Sequence, residues 1–415
     1  MRIIGIEAAG AGTNNQIRGL ILEGSKGSKV PCTRQELLKD TDGKLLDRTN
    51  YDSDAIFAES VRNSVNLFCR ETKEQDKAMP EFIALPYNHA GPAEEEATRV
   101  DMLSKYLKES FKENGVDVKT MVVGSRLYDY ENVDLINVGK HQLSNEDENV
   151  LKNNPKLAGK VSATLGVPSN LSWLRIKQEA NSPLKKKELN QYKDKFILFS
   201  LGGKSEDEAI QFTMKDAQKL LSHALKLRSM GENVVFVNSP RTPNDVTDYL
   251  YKNCKRFKFG FYNSKTLASQ EEAEKNFRVY HGKYNQEFEQ QAREIGGNIY
   301  PAILKNCKAV VNTHDSFSYT SDAAVLGIPS IVYTENEIDA KKRPDCGKLF
   351  QLCQKAGYVV SLDDAIETLS RGEEVQTKKM QGVNGQILSS MKKTLNQSKT
   401  RLTLPSARDK KTCAI

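Results

Sequence analysis

Cys307-Lys-Ala-Val-Val-Asn-Thr-His-Asp-Ser-Phe-Ser-Tyr-Thr-Ser-Asp-Ala-Ala-Val-Leu-Gly-Ile-Pro-Ser-Ile-Val-Tyr-Thr334 is the stretch that decides the fold class. A short apolar run, Ala309 to Val311, gives way to a polar loop, Thr313 to Ser318. A helix of small residues is expected over Thr320 to Leu326, then Gly327-Ile328-Pro329 and a second strand, Ser330 to Tyr333. Strand, loop, helix and strand in that order make one unit of a parallel sheet. The first N–H groups of such a helix lack partners within it and carry partial positive charge, which suits a phosphate. Ser316, Ser318 and Thr320 add hydroxyl donors. Asp315 or Ser318 could equally serve as a plain N-cap, so this window alone leaves both roles open.

The same alternation extends in both directions. Arg2 to Ile6 reads as a first strand, followed by a loop from Ala8 to Gln16, in which Gly10 and Gly12 permit a sharp turn, and then by a helix through Gly19-Leu20-Ile21-Leu22. Helices are expected over Asp54–Arg70 and Glu94–Asn114, and strands over Glu81–Leu85, Val118–Val123 and Val133–Val138. A new set starts at Phe196–Leu201, with a helix over Thr213–Met230 whose apolar side is Ala217, Leu220, Leu221, Ala224, Leu225 and Leu227. Asn233–Asn238 and Phe257–Phe261 follow as strands around a helix at Asp245–Asn253; Phe277–Tyr280 is a weaker strand candidate. Gly347–Leu369 reads as helix, strand and helix. Short apolar strands alternating with helices argue for parallel sheets covered on both faces.

A chain of 415 residues exceeds the usual size of one core, so two domains are expected. Hydrophobic residues make up 38% and charged ones 28%, the composition of a soluble globular protein. No apolar run is long enough to span a bilayer. The seven cysteines are scattered without a C-x-x-C pair, which fits reduced thiols and a cytoplasmic location. The net charge of +7 is concentrated toward the lysine-rich end. No aromatic residues are interleaved there and no nucleic-acid motif is present, so nucleic acid is not an expected partner.

Three loops follow strands on what should be one sheet edge: Gly202-Gly203-Lys204, Asn238-Ser239-Pro240-Arg241-Thr242-Pro243, and the loop at Asp315. In an open parallel sheet, ligands bind at the carboxyl ends of the strands. Glycines allow close backbone approach, Lys204 adds a cation, Arg241 offers a planar fork and Thr242 a hydroxyl. A plain turn at Gly202 and a helix start at Thr242-Pro243 are the simpler readings of each loop by itself; their convergence is what favours a ligand. The spacing lacks the Walker pattern, and Gly-x-Ser-x-Gly is absent. His89, His141 and His314 each come just after an expected strand, while His223 and His281 read as structural. Neither H-E-x-x-H nor an Asp/His cluster is present, so no metal is expected. A histidine could serve as general base.

These residues together resemble the mitochondrial-fission (elongated-mitochondria) family. The similarity rests on Val311-Asn-Thr-His-Asp-Ser-Phe-Ser-Tyr, with Asn298-Ile-Tyr-Pro before it and Gly327-Ile-Pro after. Gly202-Gly203, Ser239-Pro240-Arg241-Thr242-Pro243, Gly12 with Asn15-Gln16 and Gly19-Leu20, Gly139-Lys140-His141-Gln142 and Thr164-Leu165-Gly166-Val167 continue it. Tyr319 stands where the family usually has methionine, and Pro240 replaces one arginine of a pair.

The resemblance implies a GT-B-like α/β architecture: two facing Rossmann-like domains with parallel sheets and an interdomain cleft. It implies a nucleotide-diphosphate sugar as donor substrate, an unknown acceptor, and no metal or separate cofactor. Gly202, Gly203, Lys204, Arg241, Thr242, Ser316 and Ser318 would hold the donor phosphates, with Asp315 and Asp322 orienting the loop or a sugar hydroxyl. Gly12, Asn15 and Gln16 would form an acceptor-side loop, and His141 or His89 the general base. The expected division is 1–175 for the acceptor-side domain, 176–195 for a linker, 196–370 for the donor domain, and 371–415 for a helix and a flexible basic tail. A glycosyl transferase is the leading expectation. A nucleotide-sugar epimerase on the same fold and a non-catalytic recruitment adaptor, touching a membrane surface through the basic tail, are the alternatives.

Overall fold

The computed structural model describes residues 1–6, 11–24, 37–38, 46, 50–87, 93–182, 185, 189, 195–205, 208–239, 241–262 and 300–403. The chain divides into two compact units, Met1–Asn170 with Gly382–Ile415, and Leu171–Gln381. Each is a Rossmann-like α/β domain built on a parallel six-stranded sheet.

In the second unit the strands are β7 (Phe196–Ser200), β8 (Val234–Val237), β9 (Gly260–Tyr262), β10 (Cys307–Thr313), β11 (Ser330–Tyr333) and β12 (Val359–Ser361). Their order is β12-β11-β10-β7-β8-β9. The sheet therefore winds outward in both directions from β7 and β10, and these two meet at its switch point. Alternate side chains enter opposite cores. Ile197, Phe199 and Leu201 join Phe236, Val311 and Tyr333 on one face; Phe196 and Leu198 join Val237 and Val310 on the other. Continuous apolar strands are what two covered faces require.

Local signals set the helices. Thr213 and Asp216 form a capping box, the Thr213 amide donating to Asp216 Oδ2 at 2.8 Å, and the helix Met214–Ser229 buries Ala217, Leu220, Leu221, Ala224 and Leu227. The helix Asn244–Phe257 runs farther than expected and takes Phe257 from the next strand, ending at Lys258 in the left-handed conformation. The expected strand at Phe277–Tyr280 lies outside the described residues.

The first unit holds β1 (Ile3–Ile6), β2 (Leu37–Leu38), β3 (Phe82–Pro86), β4 (Lys119–Ser125), β5 (Leu135–Gly139) and β6 (Val161–Thr164), ordered β2-β1-β3-β4-β5-β6. Two short helices, Asn145–Asn153 and Pro155–Lys160, precede β6 and start at Ser144 and Asn154 caps. A correction falls on the glycine loop: Gly12, Asn15 and Gln16 lie in a helix, Ala11–Gly24. Ile17, Leu20 and Ile21 recur at three- and four-residue spacing and are buried, and this apolar face carries the helix back through the polar residues.

The boundaries differ from those expected. Residues 176–180, placed in a polar linker, belong to the helix Trp173–Ala180. Ile176 and Ala180 sit four apart, share one face, and enter the core with Tyr300, Ile303 and Leu304. The helix Val383–Thr403 belongs to the first unit. It packs on the helix Ala11–Gly24 and on β5 and β6, with Val383, Ile387 and Met391 buried at four-residue steps. Asn384 Nδ2 donates to the Ser169 carbonyl at 2.7 Å. The basic tail after residue 403 lies outside the described residues. No helix among the described residues is long and apolar enough to cross a membrane.

Candidate functional site

The turns after β7, β8 and β10 meet at the switch point of the second sheet. β7 and β10 run in register, Ser200 opposite Asn312, and Ser200 also faces Val237 of β8. The three turns are thus carried to one edge. Gly202 N donates to Thr313 Oγ1 at 2.8 Å, and Gly203 N to Asp315 Oδ2 at 3.3 Å. Arg241 Nη2 donates to the same Oδ2 at 2.7 Å. Ser239 Oγ donates to the Gly202 carbonyl at 3.0 Å, and Thr242 Oγ1 donates there as well. Every turn is tied to the other two by hydrogen bonds.

This knot revises the roles expected of its members. The amides of Gly202 and Gly203 and the hydroxyl of Thr242 are engaged within it, so these residues build the platform. Asp315 is its centre: the side chain is 0% exposed, one oxygen takes Arg241 and Gly203, and Oδ1 has no hydrogen-bond partner among the described residues. Thr313 and Ser239 lie inside the quoted motifs, but nothing in the sequence by itself marks them as site residues. Their hydroxyls lock the glycine turn, a role visible only when three distant strands lie side by side.

What remains toward solvent lies around the helix Phe317–Leu326. Ser316, its N-cap residue, is itself buried, and among the described residues its side chain makes no capping bond. Ser318 in the first turn is exposed, and the Arg241 side chain is 34% exposed. A second arginine was missed. The guanidinium of Arg343 lies 5.4 Å from the centre of the Phe317 ring, at the first residue of this helix, and pairs with Asp345 at 3.0 Å. In the sequence it is marked only by the basic run Lys341-Lys342-Arg343. Lys204 is exposed beside Glu208, at 3.7 Å. Asp322 is buried in the same helix, where its charge raises the Tyr300 hydroxyl pKa after the larger effect of burial.

The remaining candidates lie in the first unit. His141 occupies a 3-10 turn, Lys140–Gln142, after β5 and is 2% exposed. A substrate would reach this ring only if the side chains around it moved. Gln16 is half-buried in its helix. His89 lies outside the described residues.

His314, beside Asp315, has a different task. Its Nε2 lies 3.1 Å from the Cys346 carbonyl, which makes the ring a donor there, and its edge meets Phe350. Burial lowers its pKa below 6.5, partly offset by that hydrogen bond and by Asp315. Below 6.5 the unfolded chain binds more protons than the folded one. The stabilisation is therefore complete above 6.5 and is lost as pH falls through the folded value. Unfolding midpoints in urea should drop between about pH 7.5 and pH 5, with a smaller drop in His314→Gln. Equal slopes for the two proteins would show that His314 does not supply this dependence.

The family model described as "Mitochondrial fission ELM1" matches residues 104–383. No curated protein matches the chain. Among solved structures, the chain is similar to UDP-GlcNAc 2-epimerase from Methanocaldococcus jannaschii, at 9% identity over 96% of this chain and 98% of that one, with a TM-score of 0.47. It is also similar to UGT71G1 of Medicago truncatula complexed with UDP-glucose, at 11% identity over 95% and 94%, with a TM-score of 0.35. A glycosyl transferase family 9 structure from Veillonella parvula gives 10% identity over 82% and 80%, with a TM-score of 0.33.

Proposed function

The chain belongs to the mitochondrial fission ELM1 family, and we propose that its second unit binds a nucleotide-diphosphate sugar and passes the sugar to an acceptor. One observation carries this reading: three sequence-distant turns are bonded together at a sheet switch point, beside the N-terminus of the helix Phe317–Leu326. Ligands of open parallel sheets bind at such a point. The first helix amides, the Ser316 and Ser318 hydroxyls, and the guanidinium groups of Arg241 and Arg343 would meet the diphosphate.

In the transfer, the acceptor hydroxyl oxygen forms a bond to the anomeric carbon as the bond from that carbon to the diphosphate oxygen breaks. The leaving diphosphate keeps the electron pair, and its growing charge is what the helix terminus and the arginines stabilise. The hydroxyl proton passes to a general base. An epimerase would use the same donor contacts and dispense with the acceptor.

A second reading has its own support. Asp315 already neutralises Arg241 and takes the Gly203 amide, which would suit a recruitment adaptor that keeps the fold and binds no nucleotide. Calorimetric titration of the full chain with uridine, adenosine, guanosine and cytidine diphosphates separates the two. Transfer chemistry requires one of them to bind, and Ser316→Ala and Arg343→Gln should each weaken it about ten- to a hundredfold, the worth of one charge-assisted hydrogen bond. No heat from any of the four would sink the donor site and leave the adaptor.

A further inference from the structure

His223, Glu335 and Asp363 come from three separate elements of the second unit, and their ligand atoms all lie within 4.8 Å of one another. We propose that they form a surface site for a divalent transition ion of the zinc class, independent of the donor site.

The fold explains why they meet. β11 and β12 are neighbouring parallel strands with Val332 opposite Ser361, so the residues just past their carboxyl ends, Glu335 and Asp363, emerge side by side. His223 lies midway along the helix Met214–Ser229, whose inner face packs on the core shared with Ile331, Leu362 and Ile366. Its Nε2 stands 3.7 Å from Glu335 Oε1, close to the spacing of two ligands on a small tetrahedral ion.

The donor set selects the metal. One imidazole nitrogen with two carboxylates suits zinc, whereas magnesium and calcium prefer oxygen throughout. Lys219, one turn before His223 on the same helix, holds Glu335 Oε2. That bond leaves Oε1 facing His223. Asp363 is exposed, and at the N-cap of its helix the Asp364 amide donates to Ser361 Oγ, so the Asp363 carboxylate is not spent on capping. Water would complete the coordination, and the ion would clamp one helix to two strand ends.

The test is a titration of the full-length chain with zinc chloride, read by calorimetry and by melting temperature. One ion per chain should bind and raise the melting temperature. His223→Ala and, separately, the exposed Asp363→Asn should weaken binding by at least about tenfold and abolish that rise. Cobalt substitution reports on the ligands, since a thiolate site would add a sulfur charge-transfer band. Absence of zinc binding, equal binding in both variants, or a thiolate band would each overturn the proposal. Because the readout is metal and not nucleotide, its failure is separable from failure of the donor site.

Discussion

Replacing Arg241 with alanine should destabilise the second unit by about 3–5 kcal/mol, the cost of leaving a buried charge without its partner. The reason lies in the unequal surroundings of the pair. The Asp315 side chain is wholly enclosed and its second oxygen has no partner among the described residues, whereas the Arg241 side chain is 34% exposed. Solvent screening on the arginine side places the value toward the lower end of that range. Asp315→Asn should cost less, about 1–3 kcal/mol. It removes the charge but keeps an oxygen for the Gly203 amide, and Arg241 can turn to water. The double variant Arg241→Ala/Asp315→Asn should therefore be more stable than Arg241→Ala alone. Urea unfolding of the four proteins reads this directly. If asparagine at 315 costs as much as alanine at 241, or if the double variant gains nothing, Asp315 is not the buried charge that Arg241 compensates. The same result bears on the ligand experiments: loss of nucleotide binding in Arg241→Ala would report folding as well as contact, which is why Ser316 and Arg343 are the better probes.

Gly203→Ala should have the next largest effect. A β-carbon at Gly203 would stand 2.0 Å from the Arg241 carbonyl oxygen and 2.1 Å from its carbonyl carbon. These are backbone atoms of a turn tied at both ends, so no side chain can rotate away. The turns after β7 and β8 would have to part, at a cost of about 1–3 kcal/mol or somewhat more, and any anion site built on them would be lost with the knot. Gly347→Ala is the matched comparison. It lies inside the helix Pro344–Lys355, and a β-carbon there meets nothing within 4 Å. Alanine should stabilise that helix by up to about 1 kcal/mol. One chemical change would then move stability in opposite directions at two positions. Equal effects would mean that the close approach at Gly203 is absent.

Much of the architecture was legible locally. Ser330–Tyr333 coincides with β11, and the helix Met214–Ser229 matches its expected apolar side except at Leu225, which is only partly buried. Apolar periodicity reports which face of a helix is covered, as in Met214–Ser229, and continuous apolar runs report strands covered on both faces. It was less informative where polar residues surround a sparse apolar face. Ile176 with Ala180, and the first turns of the helix Ala11–Gly24, are such cases, and composition there disguised one helix as a linker and the start of another as a loop.

At the site, residue types announced that chemistry could happen, but not which atoms would be available for it. Glycine, arginine, threonine and aspartate after parallel strands are readable as a ligand-facing set; that part belongs to the sequence alone, because strand–loop–helix order already places loops on the carboxyl edge. Whether the Gly203 amide meets a phosphate or the Asp315 carboxylate is settled by which strands become neighbours. Residues 202, 241 and 315 are brought together only by the order β10-β7-β8. The helix Val383–Thr403 joins the first unit for the same reason: its buried face is complementary to β5, β6 and the first helix, none of them near it in the chain. Hydrogen bonds and apolar contacts act over a few ångströms of space without regard to separation along the chain, so patterns within a segment fix its form while its partners are chosen by packing.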